Sequence, residues 1–494
     1  MLRIEKRYKV SIYVALIFGM LVYTFVVSIQ NGMHQMFPEG IEYHRMSVGI
    51  AISELRYGLT GYRGYNEVYK ALKDNGMTKN FKGDILNNAI QMALSVKDAS
   101  SGGQYILVRE DKGMVTYYKL AFRIFGYKIE SFFYLYFLLM TVSIFIFLMS
   151  FHNRVDLLNV LLLFVCSHFV IAATAPVVGL ELQTVYNQRF LPVLAILPAL
   201  YLALLILGRR RCTLGMIAGV CMQTSILMLA AHARTSTTYQ MIFLFSSSML
   251  AILWYWLMKP DLGKYVFSKV CLWPLGLVFV GFLILTMHLI VKLDPSYTYA
   301  TSKHFFWHAV YLGLGAHPDS WRKYGIKYEE DSIAARVVER RARERYGTDL
   351  AVDEGLYESI LKDEFLRILK QDPRFVIESY FYKFAIFFSN YFSSSFGAIR
   401  NLFKPTTLSI VVLGSLLAGE VFLKWWLQYF WLLILGFGFS LLPTMLAMPA
   451  PALIADPALL FTVVVYTLLS GALCYVIQRR GYFTMSLEGR AAER

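Results

Sequence analysis

Charge is what this chain has least of. Asp, Glu, Lys and Arg make up 16% of its 494 residues, against about 25% in ordinary soluble domains. Acidic residues are the scarcer sign, 33 against 48 basic, for a formal net charge of +15. Cysteine is scarce as well. Cys166, Cys212, Cys221, Cys271 and Cys474 all fall in apolar runs or at their ends, so no disulfide framework braces the long polar segments. There is no CxxC pair, no zinc-type spacing and no HExxH sequence. Gly58, Gly61 and Gly64 stand three apart, but no P-loop lysine follows them and they read as loop. The basic excess forms no interleaved basic–aromatic module, which argues against a nucleic-acid partner. It gathers beside apolar runs instead, at Arg3, Lys6, Arg7 and Lys9, at Arg209–Arg211 and at Arg479–Arg480, where it sets topology.

What the chain has in abundance is apolar length. It is 57% hydrophobic and 16% aromatic, with a mean hydropathy of +0.50. A bilayer core takes roughly 20 apolar residues per helix. Spans read at roughly 10–29, 131–150, 156–175, 190–208, 213–232, 239–258, 270–291, 405–423, 425–446 and 457–477. The fold class expected is an all-α polytopic protein of the plasma membrane with about ten transmembrane helices. The positive-inside rule puts both termini in the cytoplasm. The first apolar run is long and no A-x-A-type cleavage site follows it, so it reads as an uncleaved signal anchor.

Two long polar segments interrupt the spans, both extracytoplasmic under this topology. The chain then divides into a transmembrane module with its first outer loop (1–292, loop 30–130), a second outer helical loop with an interfacial segment (293–400), and C-terminal transmembrane helices (401–494). Residues 376–396 are aromatic but carry Glu378 and Lys383, and read as interfacial or partly inserted.

The first loop opens with Glu39, Glu42, His44 and Arg45. On a helix the three-residue spacing puts both glutamates on one face. Further on, GDILNNAIQMALSVKD (83–98) sets Ile85, Leu86, Ile90, Met92, Ala93 and Val96 near one helical face. REDKGMVTYYKLAFRIFG (109–126) predicts an amphipathic helix leading into the second span. In the second loop His304 and His308 share a helix face, with Tyr311 next along it. Trp307 and Tyr311 can stack on sugar rings while the histidines donate hydrogen bonds; an aromatic anchor at the interface fits the same residues. No metal ligand set is assigned there, and divalent-metal dependence stays open. SIAARVVERRARERYG (332–347) is a basic helix laced with Glu339 and Glu344. It reads as solvated, with binding of anionic head groups or a charged glycan as the alternative. Another amphipathic helix runs from Tyr357 until Asp372–Pro373 breaks it.

Three stretches carry a resemblance: EYHRM (42–46), YYKLAFRIFGYKIESFFYLYFLL (117–139) and NQRFLPVLAILPAL (187–200). With the long loop after the first span, they resemble the GT-C membrane glycosyltransferases. The likeness covers roughly the first 210 residues and extends to the later spans by architecture alone. It implies a bacterial inner-membrane enzyme that moves a sugar from a polyprenyl-phosphate carrier to an extracytoplasmic glycan or lipid. It implies Glu42 as the catalytic carboxylate, with Glu39 second and Asp111 as a partner on the loop's return. On that reading Arg189 is the candidate for the lipid phosphate, with a topology or packing role as the alternative, and His44, His304, Trp307, His308 and Tyr311 are the candidates for binding substrate. The family's frequent adjacent acidic pair is replaced here by two glutamates three apart. The lipid-linked sugar is the donor substrate, and no other cofactor is implied.

Other classes stay in view. A transporter or flippase of a lipid-linked or anionic substrate would place charges and repeated halves at mid-membrane, whereas these spans hold few ionisable residues and no clear repeat. An O-antigen polymerase or ligase shares the late outer loop. A non-catalytic GT-C-like assembly protein accommodates the altered acidic motif.

Overall fold

The computed structural model describes residues 5–34, 41–58, 67–75, 83–97, 112–174, 191–207, 214–233, 237–258, 281, 306–328, 330, 332–347, 354–392, 402–446 and 455–492. Among them every regular element is a helix, and the chain is an all-α membrane protein. Among the described residues six helices are long and apolar enough to cross a membrane, seven if a bent pair counts as one span. The span read at 270–291 lies outside the described residues except at 281.

In chain order the helices are α1 (Lys6–His34), α2 (Ile41–Tyr57), α3 (Glu67–Asp74), α4 (Gly83–Leu94), α5 (Lys112–Phe125), α6 (Glu130–Phe151), α7 (Val155–Thr174), α8 (Val193–Leu207), α9 (Leu214–Ala233) and α10 (Thr238–Met258). After the second polar segment begins come α11 (Phe306–Gly313), α12 (Ser320–Tyr324), α13 (Ser332–Tyr346), α14 (Glu354–Gln371), α15 (Pro373–Phe392), α16 (Pro405–Ala418), α17 (Glu420–Leu446) and α18 (Ala455–Ala492).

The bundle is built around α7. Its sequence, VDLLNVLLLFVCSHFVIAAT, is apolar on every side, and such a helix belongs in a core. Its entire span is buried. Helix α1 runs parallel to it: Tyr13 Oη lies 3.3 Å from Asn159 Oδ1, and Tyr23 stacks on Phe169 at 4.8 Å. Helix α6 runs the other way, with Phe137 against Phe25 at 5.0 Å and Tyr136 Oη 2.8 Å from His168 Nε2. Helix α16 is also antiparallel to α7, with Lys404, just before it, over the Phe169 ring and Gly414 against Asn159.

Polar contacts fix the register where α1, α7, α16 and α18 meet. Tyr13 donates to the Gly414 carbonyl at 2.5 Å, and Asn159 Nδ2 donates to Ser470 Oγ at 3.0 Å. Ser415 Oγ lies 2.7 Å from Ser470 Oγ. In hydrocarbon such groups must satisfy each other. A Cβ at Gly414 would stand 2.7 Å from both Asn159 Oδ1 and Leu162 Cδ2, so only glycine permits this approach.

The spans expected at 405–423 and 425–446 divide earlier than the sequence indicated. Gly419 takes φ +55°, which a Cβ disfavours, and the chain turns by 94° there before Glu420–Leu427. Glu420 and Lys424, one turn apart, pair at 2.8 Å on the exposed side of the new helix.

Helices α2 to α5 pack into one helical unit, with Val48, Ala51 and Ile52 of α2 in the same core as Leu72, Ile90 and Tyr118. Glu54 pairs with Lys119, and Tyr57 donates to the Val96 carbonyl at 2.9 Å. The buried face of α4 is Leu86, Ala89, Ile90 and Ala93, while Ile85 and Met92 are exposed. The apolar count alone had grouped those two on one face with the other four. Helices α11 to α15 form a second unit with its own core of Val310, Tyr311, Leu312, Ile333, Val338, Ile360, Leu361 and Phe375.

Both units occupy one end of the bundle. Helix α5 rests on the end of α9, where Gly113 meets the His232 backbone, and α10 begins at that end. Phe243, near the start of α10, lies against Gly436 of α17. Helix α17 then ends beneath α15, where Lys383 donates to the Met445 carbonyl at 3.0 Å. Gly414→Ala is expected to destabilise the bundle by about 1–3 kcal/mol through overpacking, and Tyr13→Phe by about 1 kcal/mol. Unfolding of the purified protein in mixed detergent and SDS measures both.

Candidate functional site at the capped end

The residues singled out from sequence fall unevenly on the structure. Glu39, Asp111, Arg189 and His304 lie outside the described residues. Glu42 and His44 stand in the first turns of α2, the helix that follows α1. Trp307, His308 and Tyr311 share α11.

Helix α11 is anchored at its start. The carboxylate of Glu358 accepts the Trp307 N–H at 2.7 Å and the His308 N–H at 3.1 Å, satisfying donors that a helix start leaves over. His308 Nδ1 lies 2.8 Å from the Tyr357 hydroxyl. The Trp307 ring sits against Phe365 at 5.8 Å and beneath the Lys362 ammonium at 5.9 Å. Tyr311 turns inward and is 2% exposed. Burial and Glu364 push its phenol up to about 12, against the pull of Arg340, Arg367 and Arg341. In this structure Tyr311 is therefore a core residue of the second unit, whereas Trp307 and His308 remain partly accessible.

The basic helix α13 is tied to acids. Arg341 pairs with Glu344 at 2.7 Å and with buried Glu364 at 2.6 Å, and Arg367 reaches the same Glu364 at 2.7 Å. Arg336 meets Glu330 at 2.7 Å and Arg345 meets Asp363 at 2.9 Å. The exposed pairs contribute little each. Glu364 differs because it is nearly buried, and hydrogen bonds from Arg367 and Arg341 hold its carboxyl below the usual range despite burial.

Sequence reasoning missed the joint between cap and bundle. Asp372 caps α15, accepting the Phe375 N–H at 3.0 Å with Pro373 at the helix start, a favourable entry. His317 accepts the Asp319 N–H on Nδ1 at 3.1 Å. The ring proton is thus on Nε2, which faces Glu378 Oε2 at 3.3 Å. Arg374 donates to the other oxygen at 2.7 Å. The Arg374 guanidinium, followed by His317, holds Glu378 below the ordinary carboxylate range. One turn further on, Lys383 is fully buried. Its ammonium stands over the Tyr380 ring at 4.4 Å and meets the carbonyl end of α17, the end that attracts cations. Phe387 and Phe388 then enter the bundle against Phe437 and Phe461. The forewarnings in the sequence were the Asp372–Pro373 break and two charges, Glu378 and Lys383, inside an aromatic run.

Among the described residues no group of three or more His, Cys, Asp or Glu side chains is placed to hold a metal ion. Comparison with protein-family models, with curated proteins and with solved structures finds no match for this chain.

Burial brings the Lys383 ammonium down to about 7 from its ordinary 10.5. Between those values the unfolded chain binds more protons than the folded one, so stability rises with pH across that window. The penalty is full below about pH 7. Lys383→Met is expected to abolish this slope and to be neutral or stabilising near pH 7. Hydrogen exchange of α15 measured from pH 6.5 to 9.5, corrected for intrinsic rates, checks it.

Proposed function

We propose that this protein is a GT-C-type membrane glycosyltransferase with about ten spans. It takes a sugar from a polyprenyl-phosphate carrier and adds it to an extracytoplasmic glycan or lipid at the bacterial inner membrane. One observation carries most of the weight. Both long polar segments fold into helical units at the same end of a membrane bundle, and Glu42 stands at the start of the first of them. The donor's tail stays in lipid while its sugar reaches that end, so the chemistry belongs where lipid and water meet.

On this reading the Glu42 carboxylate takes the proton from an acceptor hydroxyl as that oxygen attacks the anomeric carbon. The departing lipid phosphate keeps the electron pair and needs cationic or hydrogen-bonding groups beside it, the role assigned to Arg189. Trp307 and His308 stand on the second unit as partly accessible groups for the sugar.

A carrier or flippase of lipid-linked substrate is the second reading, favoured by the 94° break at Gly419, since discontinuous helices serve binding in transporters. Substrate moved without chemical change would establish it.

Glu42→Gln is expected to lower product formation by about 10²–10⁴-fold, with unchanged membrane abundance and accumulation of the lipid-linked donor. Cell-envelope glycan and lipid extracts measure both. Unaltered product removes Glu42 from the role.

A further inference from the structure

A cavity of about 680 Å³ opens on the outer surface of the bundle between the start of α17 and the last part of the α18 span. Its walls are Leu423, Trp426 and Leu427 on one side and Leu468, Leu469 and Tyr475 on the other. Gly471 and Ala472 form the floor. A Cβ on Gly471 would meet three indole atoms of Trp426 at 3.1 Å, so the ring lies flat on the glycine and the floor stays low. The groove lies beside the 94° turn at Gly419, where α17 begins its antiparallel run along α18 from Trp426 at Gly471 to Gly436 at Leu460.

The surroundings name the occupant. Both helices are long and apolar enough to cross a membrane, and the rim residues Leu427, Leu468 and Tyr475 are exposed, so hydrocarbon is what meets the opening. Along α18 the groove runs from Leu468 to Gln478, about 15 Å at the helical rise of 1.5 Å per residue. That is half of the roughly 30 Å hydrocarbon core, the depth of one leaflet. Its last wall residue is Gln478, and exposed Arg479 follows. The indole N–H of Trp426 is buried and has no hydrogen-bond partner among the described residues.

The geometry points to a binding site for one membrane phospholipid, with an acyl chain in the groove and its phosphate at Gln478 and Arg479. The site lies at the end of the bundle opposite the two helical units, because Trp426 and Gly471 stand beyond Ser470 and its partner Asn159. It is therefore separate from the proposed transfer chemistry and does not depend on it. The lipid fills the hollow beside the elbow and braces α17 against α18.

The full-length protein in phosphatidylcholine vesicles, with a trace of phosphatidylcholine bearing a diazirine on its acyl chain, tests this. After illumination, peptides covering 423–427 and 468–478 are expected to carry at least fivefold more label than the lipid-facing side of α6 around Phe145 and Met149. Ala472→Trp, and the milder Ala472→Leu, are expected to remove that excess while α6 labelling stays constant and reports the fold. A diazirine-bearing diacylglycerol, which lacks the phosphate, is expected to lose most of the excess. Equal labelling of groove and α6 overturns the site, as does an excess that both variants leave intact. A diacylglycerol that labels as well as the phospholipid overturns the phosphate contact. Absence of label with crosslinked dimers shows a second copy in the groove and overturns the lipid.

Discussion

A helix with no side to spare governs the rest of this structure. Helix α7 must be covered all round, and the helices that pack on it, α1, α6, α16, α17 and α18, come from both ends of the sequence. Apolar covering is non-directional and would tolerate sliding. Asn159 supplies the direction that the hydrocarbon side chains lack, because its amide reaches Ser470 and its carbonyl oxygen receives Tyr13. The low-dielectric surroundings make each unmet bond costly, so a small polar cluster sets the register for much larger apolar surfaces. Close approach at Gly414 is the steric condition for that cluster.

The cap repeats the arrangement outside the spans. Helix α15 belongs to two cores: Phe375 and Val376 to that of the second unit, Phe387 to that of the bundle. Between them Glu378 and Lys383 bond to His317 and to the end of α17. A helix shared in this way transmits position. The second unit is held over the bundle by a rigid element with charged ends to its contacts rather than by a loop.

Much of the architecture was legible because it is local. Apolar length marked α1, α6, α7, α9 and α18, and Asp372–Pro373 marked the break between α14 and α15. What escaped was relational. Periodicity groups Trp307, His308 and Tyr311 on one helix but does not say which of them faces a partner helix, and Tyr311 went inward. The elbow at Gly419 depends on a single backbone conformation inside a run that is apolar on both sides. His317 and Glu378 are 61 residues apart, and nothing in either neighbourhood announces the other. The proposed catalytic carboxylate was legible only through resemblance, since two glutamates three apart carry no chemistry of their own.

The bond between Tyr13 and Gly414 spans 401 residues, and that separation has a consequence in time. At about 5–20 residues per second, the ribosome reaches Gly414 roughly 20–80 s after Tyr13 has been made. Helix α1 enters the membrane first and holds a hydroxyl in hydrocarbon throughout that interval. Asn159 arrives much earlier and lies within reach of the same oxygen. Helix α7 is thus the natural early companion of α1, with its parallel packing giving the phenol a temporary acceptor. The last fifth of the chain then closes onto a pair already formed, and the finished register is inherited from a contact made while most of the protein did not yet exist.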